Sequence, residues 1–162
     1  MTDIIFRPID ISRDFQTCYD FRRDSYVCSF GTDDGYAQSV IGYQARMKQR
    51  LAHPDWFYIH IWQGAQIIGQ LEFRAFSEVA GYGYVHLIYL IPACRGQGIA
   101  DMAQAFIAET LKRQGCEGVL LSVSRTNTRA VKYYQRWGWR YFKPNPKHAT
   151  TDFFRREFSD RV

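Results

Sequence analysis

Apolar residues along the chain switch between two periods, and the switches set an order of elements. "IIFRPI" is a short apolar first strand. Ser12 can cap a helix in which Phe15, Cys18, Tyr19 and Tyr26 recur at helical spacing. "SFGTDDG" breaks that stripe. Asp33 or Asp34 can start a second helix, with Tyr36, Val40, Tyr43, Met47 and Leu51 on one face. His53-Pro54 ends it, because a residue before proline disfavours helical backbone. "DWFYIHIWQ" and "QIIGQLEFRAF" read as strands joined by a Gly64-Ala65 turn. "YGYVHLIYLIP" is apolar on both faces, as a central strand of a covered sheet should be. A glycine loop and a helix from about Gly98 to Gln114 follow, closed by Gly115. "GVLLSVS" is a further buried strand, "TRAVKYYQRW" a helix ended by Gly138, and "WRYF" and "TDFFRREF" closing strands. The order β-α-α-β-β-β-α-β-α-β-β predicts an α/β protein with a mixed sheet and helices on both faces.

Composition narrows the class. The chain has 162 residues, so residues 1–162 read as a single domain, and 46% hydrophobic and 17% aromatic content is that of a globular protein. "MTDIIFRPID" lacks the basic and apolar regions of a signal peptide, and "YVHLIYLIPAC" is too short to span a bilayer. Cys18, Cys28, Cys94 and Cys116 form no C-x-x-C pair and no metal-finger spacing, so free thiols, no metal and a cytoplasmic location are expected. The net charge of +5 suits anionic partners, but its basic residues are scattered, which leaves a nucleic-acid partner with little support.

The segment "ACRGQGIADMAQ" carries the first chemical signal. A strand feeding a glycine-rich turn and then a helix offers unpaired N–H groups at the positive end of a helix dipole, and that arrangement binds phosphate. It is neither a Walker loop, since Ile99 and Ala100 follow Gly98, nor a dinucleotide fingerprint, since Asp101 stands where a small residue is needed. A tight turn that merely uses flexible residues is the competing reading.

The surroundings decide between the two. "IYLIPACRGQGIA" resembles the acetyl-CoA-binding segment of the Gcn5-related N-acetyltransferases, with Arg95, Gly98 and Ala100 matching its Arg/Gln-x-x-Gly-x-Gly/Ala pattern. "LSVSRTNTRAVKYYQRWGW" is similar to a second family stretch through Leu121, Val123, Asn127, Ala130, Tyr134 and Gly138, with Trp139 where phenylalanine is common. By motif the resemblance covers roughly Tyr82 to Phe142, and by element order the whole chain. It implies the family's acyl-CoA N-acyltransferase fold, with acetyl-CoA bound where two parallel strands splay. The pantetheine arm would pair near Leu90, and the pyrophosphate would rest on N–H groups from Arg95 through Gly96, Gln97, Gly98 and Ile99 to Ala100. Asn127 would bond the pantetheine side. On the residues alone, a helix cap serves equally for Asn127.

Acetyl transfer needs a neutral amine, a donor to the developing oxyanion and a proton for the leaving thiolate. The resemblance gives the last role to Tyr134, whose helical stripe alone would make it a core aromatic. The oxyanion donor is expected to be a backbone N–H near Leu90. The sequence departs from the family at the base, since many relatives carry glutamate where Tyr84 stands. In a regular strand Tyr84, His86 and Ile88 share a face. His86 and Glu72 are therefore the two candidates to assist deprotonation, with water relaying the proton as the alternative. Glu72 shares its strand face with Gln70 and Arg74 and could instead be a solvated residue paired to Arg74.

The amine acceptor is expected between "RRDSYVCSFGTDDG", the strand holding His86 and the loop "KPNPKHATTD". Asp24, Ser29, Phe30 and Tyr84 are the candidate contacts. Carboxylates beside aromatics suit a cationic amine, whereas Arg22 and Arg23 suit a carboxylate-bearing acceptor or the 3′-phosphate of coenzyme A. The expected partners are thus acetyl-CoA and an amine, and the family is compatible with a homodimer. A non-catalytic acyl-CoA-binding module and a basic nucleic-acid-binding domain are the competing functions. A covalent route through Cys94 is disfavoured, because that cysteine adjoins the pyrophosphate loop.

Overall fold

The alternation of "WFYIHIWQ" and "QIIGQLEFR" around Gly64-Ala65 builds an antiparallel hairpin, and the rest of the sheet grows from it. A computed structural model describes residues 3–158. Its elements are β1 (Ile4–Pro8), α1 (Ile11–Phe30), α2 (Tyr36–Ser39), α3 (Tyr43–Leu51), β2 (Trp56–Gln63), β3 (Gln66–Arg74), β4 (Tyr82–Leu90), a 3₁₀ turn (Pro92–Cys94), α4 (Ile99–Arg113), β5 (Gly118–Ser124), α5 (Thr128–Arg136), β6 (Arg140–Pro144) and β7 (Thr151–Glu157). Among the described residues the strands form one sheet in the order β1-β2-β3-β4-β5-β7-β6. Among these strands only β4 and β5 pair in parallel, and α4 makes the crossover between them.

Two cores cover the sheet. On one face Ile99, Ala103, Ile107 and Leu111 of α4 pack on Leu71, Phe73, Val85, Val119 and Leu121, with Ala130, Val131 and Tyr134 of α5 against the same cluster. On the other, Cys18 of α1 and Tyr43 and Met47 of α3 close over Ile9 and Tyr58. The apolar stripes read from the sequence are these buried faces.

The helix boundaries differ from expectation in two places. Asp10, not Ser12, precedes the first helical residue, and the Ser12 hydroxyl donates to Asp10 Oδ1 at 2.7 Å. The second helix is two short ones, entered through Gly35 and Gly42, because both glycines take positive φ and break the ladder. Asp33 and Asp34 lie in the preceding turn. Tyr36, Val40, Tyr43 and Met47 still face inward, so the stripe is kept across the break.

Two irregularities in β4 make the site. The parallel register with β5 runs from Tyr82↔Gly118 to Val85↔Leu121 and stops there, while β5 continues along β7 to Ser124. From His86 to Leu90, then, β4 and β5 are splayed apart. On its other edge β4 carries a bulge, because Glu72 pairs with Leu87 and Phe73 with Val85, leaving His86 without a partner. The bulge shifts the side-chain phase by one. Ile88 lies across from Leu71 and packs on the α4 side, whereas Leu87 and Tyr89 lie across from Glu72 and Gln70. The expectation that Tyr84, His86 and Ile88 share a face fails at this extra residue.

Candidate active site

The splay opens into a cleft of about 1890 Å³ that passes from α1 and α3, across the gap, to α4 and α5. Ile91 N–H donates to Ile68 C=O at 2.9 Å, toward β3. Alternation therefore turns the amides of Leu90 and Ile88 the other way, into the gap. The Leu90 carbonyl already takes a bond there, from Arg95 Nε at 2.9 Å.

Below the gap, Gly96 and Gly98 sit at φ +76° and +83°, which glycine adopts without strain. A Cβ at either position would meet nothing within 4 Å, so the loop faces open space. No tight packing explains the two glycines. The backbone N–H groups from Gly96 to Asp101 have no acceptor among the described residues. Six such donors stand at the mouth of a fifteen-residue helix, an arrangement able to take an anion. Asp101 accepts from Tyr133 Oη at 3.0 Å and Trp137 Nε1 at 2.9 Å, which fixes α5 beside this mouth and draws the carboxylate aside.

On α5, Tyr134 packs edge-on to Trp139 at 5.7 Å. Its hydroxyl has no partner among the described residues, and the surrounding protein pushes its pKa up to about 12. It is a protonated donor with nothing of its own to donate to. Asn127 accepts from Ala130 N–H at 3.2 Å, so it does cap α5, and its amide nitrogen stays free on a residue lining the cleft.

The α1–α3 side of the cleft is more cationic than the sequence suggested. Glu72 is 1% exposed and engages Arg22 Nη2 at 2.7 Å, Tyr43 Oη at 2.6 Å and Gln70 Nε2 at 2.6 Å. Burial alone would raise its pKa, but Arg22 and the hydrogen bonds overcome that and hold it below the usual carboxylate value. Its partner is Arg22 from α1, not Arg74. Arg22 and Glu72 thereby bolt α1 to the sheet. Gln70 extends the network to His60 at 2.8 Å. Asp24 accepts from Tyr89 Oη and, at 3.2 Å, from Arg95 Nη2. It is thus committed to Tyr89 and Arg95 and does not line the cleft.

His86 projects at the bulge, between Trp56 (5.3 Å, stacked) and Tyr84 (4.8 Å). The crowding protein and then Arg74 push its pKa below the ordinary histidine value. The lowered pKa keeps the ring a neutral imidazole at pH 7, and water still reaches it from the cleft. Ser29 and Phe30 close the end of α1. The Ser29 carbonyl accepts from Thr126 Oγ1 at 3.4 Å, and Phe30, 48% exposed, lies against Tyr26. Tyr84 meets Phe153 edge-on, and the loop after β6 adds Asn145, whose Nδ2 donates to Ser122 Oγ at 3.1 Å.

Of the residues singled out from sequence, Leu90, Arg95, Gly96, Gly98, Ala100, Asn127, Tyr134, Glu72, His86, Tyr84, Ser29 and Phe30 line this one cleft, while Gln97, Ile99 and Asp24 do not. Ile99 is buried under the loop, and Gln97 turns back to the Ala93 carbonyl. Sequence reasoning missed Arg50 and Arg74, which stack on Trp56 at the far end of the cleft. Their spacing carries no period, so only the folded sheet reveals them as neighbours. The described residues contain no group of side chains fit to hold a metal ion, and no helix long and apolar enough to cross a membrane.

Known proteins share the family pattern and the fold. The model of the Acetyltransferase (GNAT) family matches residues 15–139. An acetyltransferase of Agrobacterium fabrum is 36% identical over 59 residues, a match spanning 36% of this chain and 42% of that protein. Among solved structures, the PaiA N-acetyltransferase of Thermoplasma acidophilum, in complex with coenzyme A, superposes with a TM-score of 0.80 at 16% identity, over 96% of this chain and 99% of the other. An acetyltransferase from Thermus thermophilus gives 0.77 at 18% identity, over 98% and 100%. With the family pattern running through most of the chain, on a fold that shares its architecture, this protein belongs to the GNAT family of acetyltransferases and is an acyltransferase.

Proposed function

We propose that the chain acts as one domain that transfers acetyl from acetyl-CoA to a primary amine, by direct attack in a ternary complex. The observation that carries this reading is the set of free N–H donors from Gly96 to Asp101 directly below the gap between β4 and β5. A pyrophosphate fits those donors, and an extended pantetheine arm fits the free amide edge at Ile88 and Leu90. The coenzyme A complex of the Thermoplasma relative supports the assignment. The thioester end then meets β4 near its bulge, where a backbone N–H serves the oxyanion and Tyr134 serves the sulfur. Asn127 keeps its capping bond and offers its Nδ2 to the arm.

The amine must arrive neutral or lose its proton in the cleft. Arg50 and Arg74 raise the cost of an ammonium there and so lower the amine's pKa. Glu72, held by three donors, is a poor proton acceptor and serves as a positioning residue. Neutral His86 passes the proton to water. His86→Phe is expected to lower kcat/KM about tenfold below pH 8, with the deficit closing as pH rises past the amine's own pKa. A deficit constant across pH would assign His86 to packing alone.

The direct test is calorimetric titration with acetyl-CoA, comparing wild type with Gly98→Glu. A Cβ at this position meets no protein atom within 4 Å, so the glutamate leaves the loop into open space, where its bulk and charge oppose the ligand. Gly98→Ala reports the cost of a side chain at positive φ, about 1–2 kcal/mol. Binding weakened at least tenfold beyond the alanine variant is the expected result. Equal affinities overturn the pyrophosphate site. An amine panel read by free-thiol release completes the test, and acetyl-CoA binding without thiol release from any amine would make the protein a binding module.

A further inference from the structure

The far end of the cleft holds two cations without an anion. Arg50 lies 3.9 Å from the centre of the Trp56 ring, and Arg74 lies 5.5 Å from the same centre. Arg74 also stands over Phe76 at 4.9 Å and Tyr84 at 5.3 Å. Neither arginine belongs to an ion pair among the described residues. Arg50 has one neutral partner, Tyr58 Oη at 3.2 Å. No bond from the Arg74 guanidinium to a described residue is formed, and its Nε is buried with no acceptor. The nearby carboxylates do not serve them. Glu72 is consumed by Arg22, Tyr43 and Gln70, and Glu78 is exposed on the β3–β4 connection without a bond to Arg74.

Holding two guanidinium groups together, stacked on aromatic rings, costs electrostatic free energy that a bound anion relieves. Each guanidinium lies over an aromatic ring and keeps N–H donors without a protein acceptor, and such donors grip an oxyanion. Both arginines line the cleft beside His86. Arg74 pairs with Tyr84, two residues or about 7 Å along the strand from His86, where the splayed segment begins.

We infer that the acceptor is a small amine that also carries an oxyanion, a carboxylate or a phosphate, which Arg50 and Arg74 hold while the amine faces the thioester. This rests on the reading above that this arm of the cleft receives the amine. Of the two acceptor classes that the sequence left open it favours the anion-bearing one, and Asp24, tied to Tyr89 and Arg95, is not its contact.

Two measurements test it. In the first, Trp fluorescence of the protein, free and saturated with coenzyme A, is titrated with inorganic phosphate and with succinate. Saturable binding is expected, weakened at least tenfold in Arg74→Gln and in Arg50→Gln. Absence of saturable binding of either anion overturns the inference, whether or not acetyl-CoA binds. In the second, thiol release is compared within matched pairs, β-alanine against its amide and phosphoethanolamine against ethanolamine. The anionic member of at least one pair is expected to have the higher kcat/KM by at least tenfold, and Arg74→Gln to shrink that ratio. Which pair responds separates carboxylate from phosphate. Preference for the uncharged members overturns the inference while leaving acetyl transfer intact. Failure of acetyl-CoA to bind would instead strike the proposed function, with the anion titration still readable.

Discussion

Tyr134→Phe is expected to lower kcat by about 10²–10³ while leaving the affinity for acetyl-CoA within about threefold, the scale of a lost proton donor. The substitution removes one oxygen. The ring keeps its edge contact with Trp139 and its place against the α4 core, so the fold has no reason to respond. The hydroxyl has no partner among the described residues, so its removal orphans no protein group. What disappears is a phenol held protonated, with a pKa raised to about 12 by its surroundings, where the proposed reaction places the leaving thiolate. Tyr133→Phe is the control. Its hydroxyl donates to Asp101 at an exposed position, and its loss is expected to change kcat less than threefold. Rapid-mixing measurement of thiol release, with acetyl-CoA affinity determined separately, separates the two. Equal and small effects from both variants would reduce Tyr134 to a packing residue.

The contrast between the adjacent tyrosines shows which parts of the site the sequence could express. Gly96, Gly98, Asn127 and Tyr134 lie within single strand–loop–helix units, where local spacing dictates geometry. A positive φ demands glycine, a helix entrance exposes N–H groups, and both features can be read from a dozen consecutive residues. The succession of elements along the chain was legible for the same reason, since each apolar run carries its own period. The β4 bulge was not. One extra residue opposite the Glu72–Phe73 step leaves no composition signal, yet it sends Ile88 to the α4 side and leaves His86 beside Tyr84 and Trp56. The partner of Glu72 was hidden differently. A buried carboxylate demands a cation, but nothing in "GQLEFR" distinguishes Arg74, two residues away, from Arg22, fifty residues away on α1. The choice belongs to the packing of α1 on the sheet. The break of the second helix at Gly42 lay between, since an isolated glycine in a helical stripe is as often tolerated as not.

Removing the cation from that pair should produce the largest stability change among the site residues. Arg22→Met is expected to destabilise the fold by about 3–5 kcal/mol, because it leaves Glu72 buried and uncompensated. The pH dependence identifies the cause. In the wild type the folded-state pKa of Glu72 lies below its unfolded value, about 4.3. Its contribution is therefore complete above that unfolded value and is lost as pH falls through the lower folded pKa. In Arg22→Met the opposing effect of burial has lost its main counterweight, and Tyr43 and Gln70 alone do not offset it. The folded pKa then rises above the unfolded one, and the sign reverses, so that the variant gains stability as pH falls from 7 toward 4.5. Urea unfolding of both proteins across that range should show the gap narrowing on acidification. Arg22→Met/Glu72→Gln should recover much of the loss and remove that pH dependence, since a neutral amide needs no cation. A loss below about 1 kcal/mol, or a gap constant with pH, would mean that α1 is held by its apolar contacts and that Arg22 and Glu72 merely coexist. The consequence reaches the site, because Arg22, Ser29 and Phe30 of α1 form one wall of the cleft, and the Glu72 pair is what fixes that wall to the sheet beneath it.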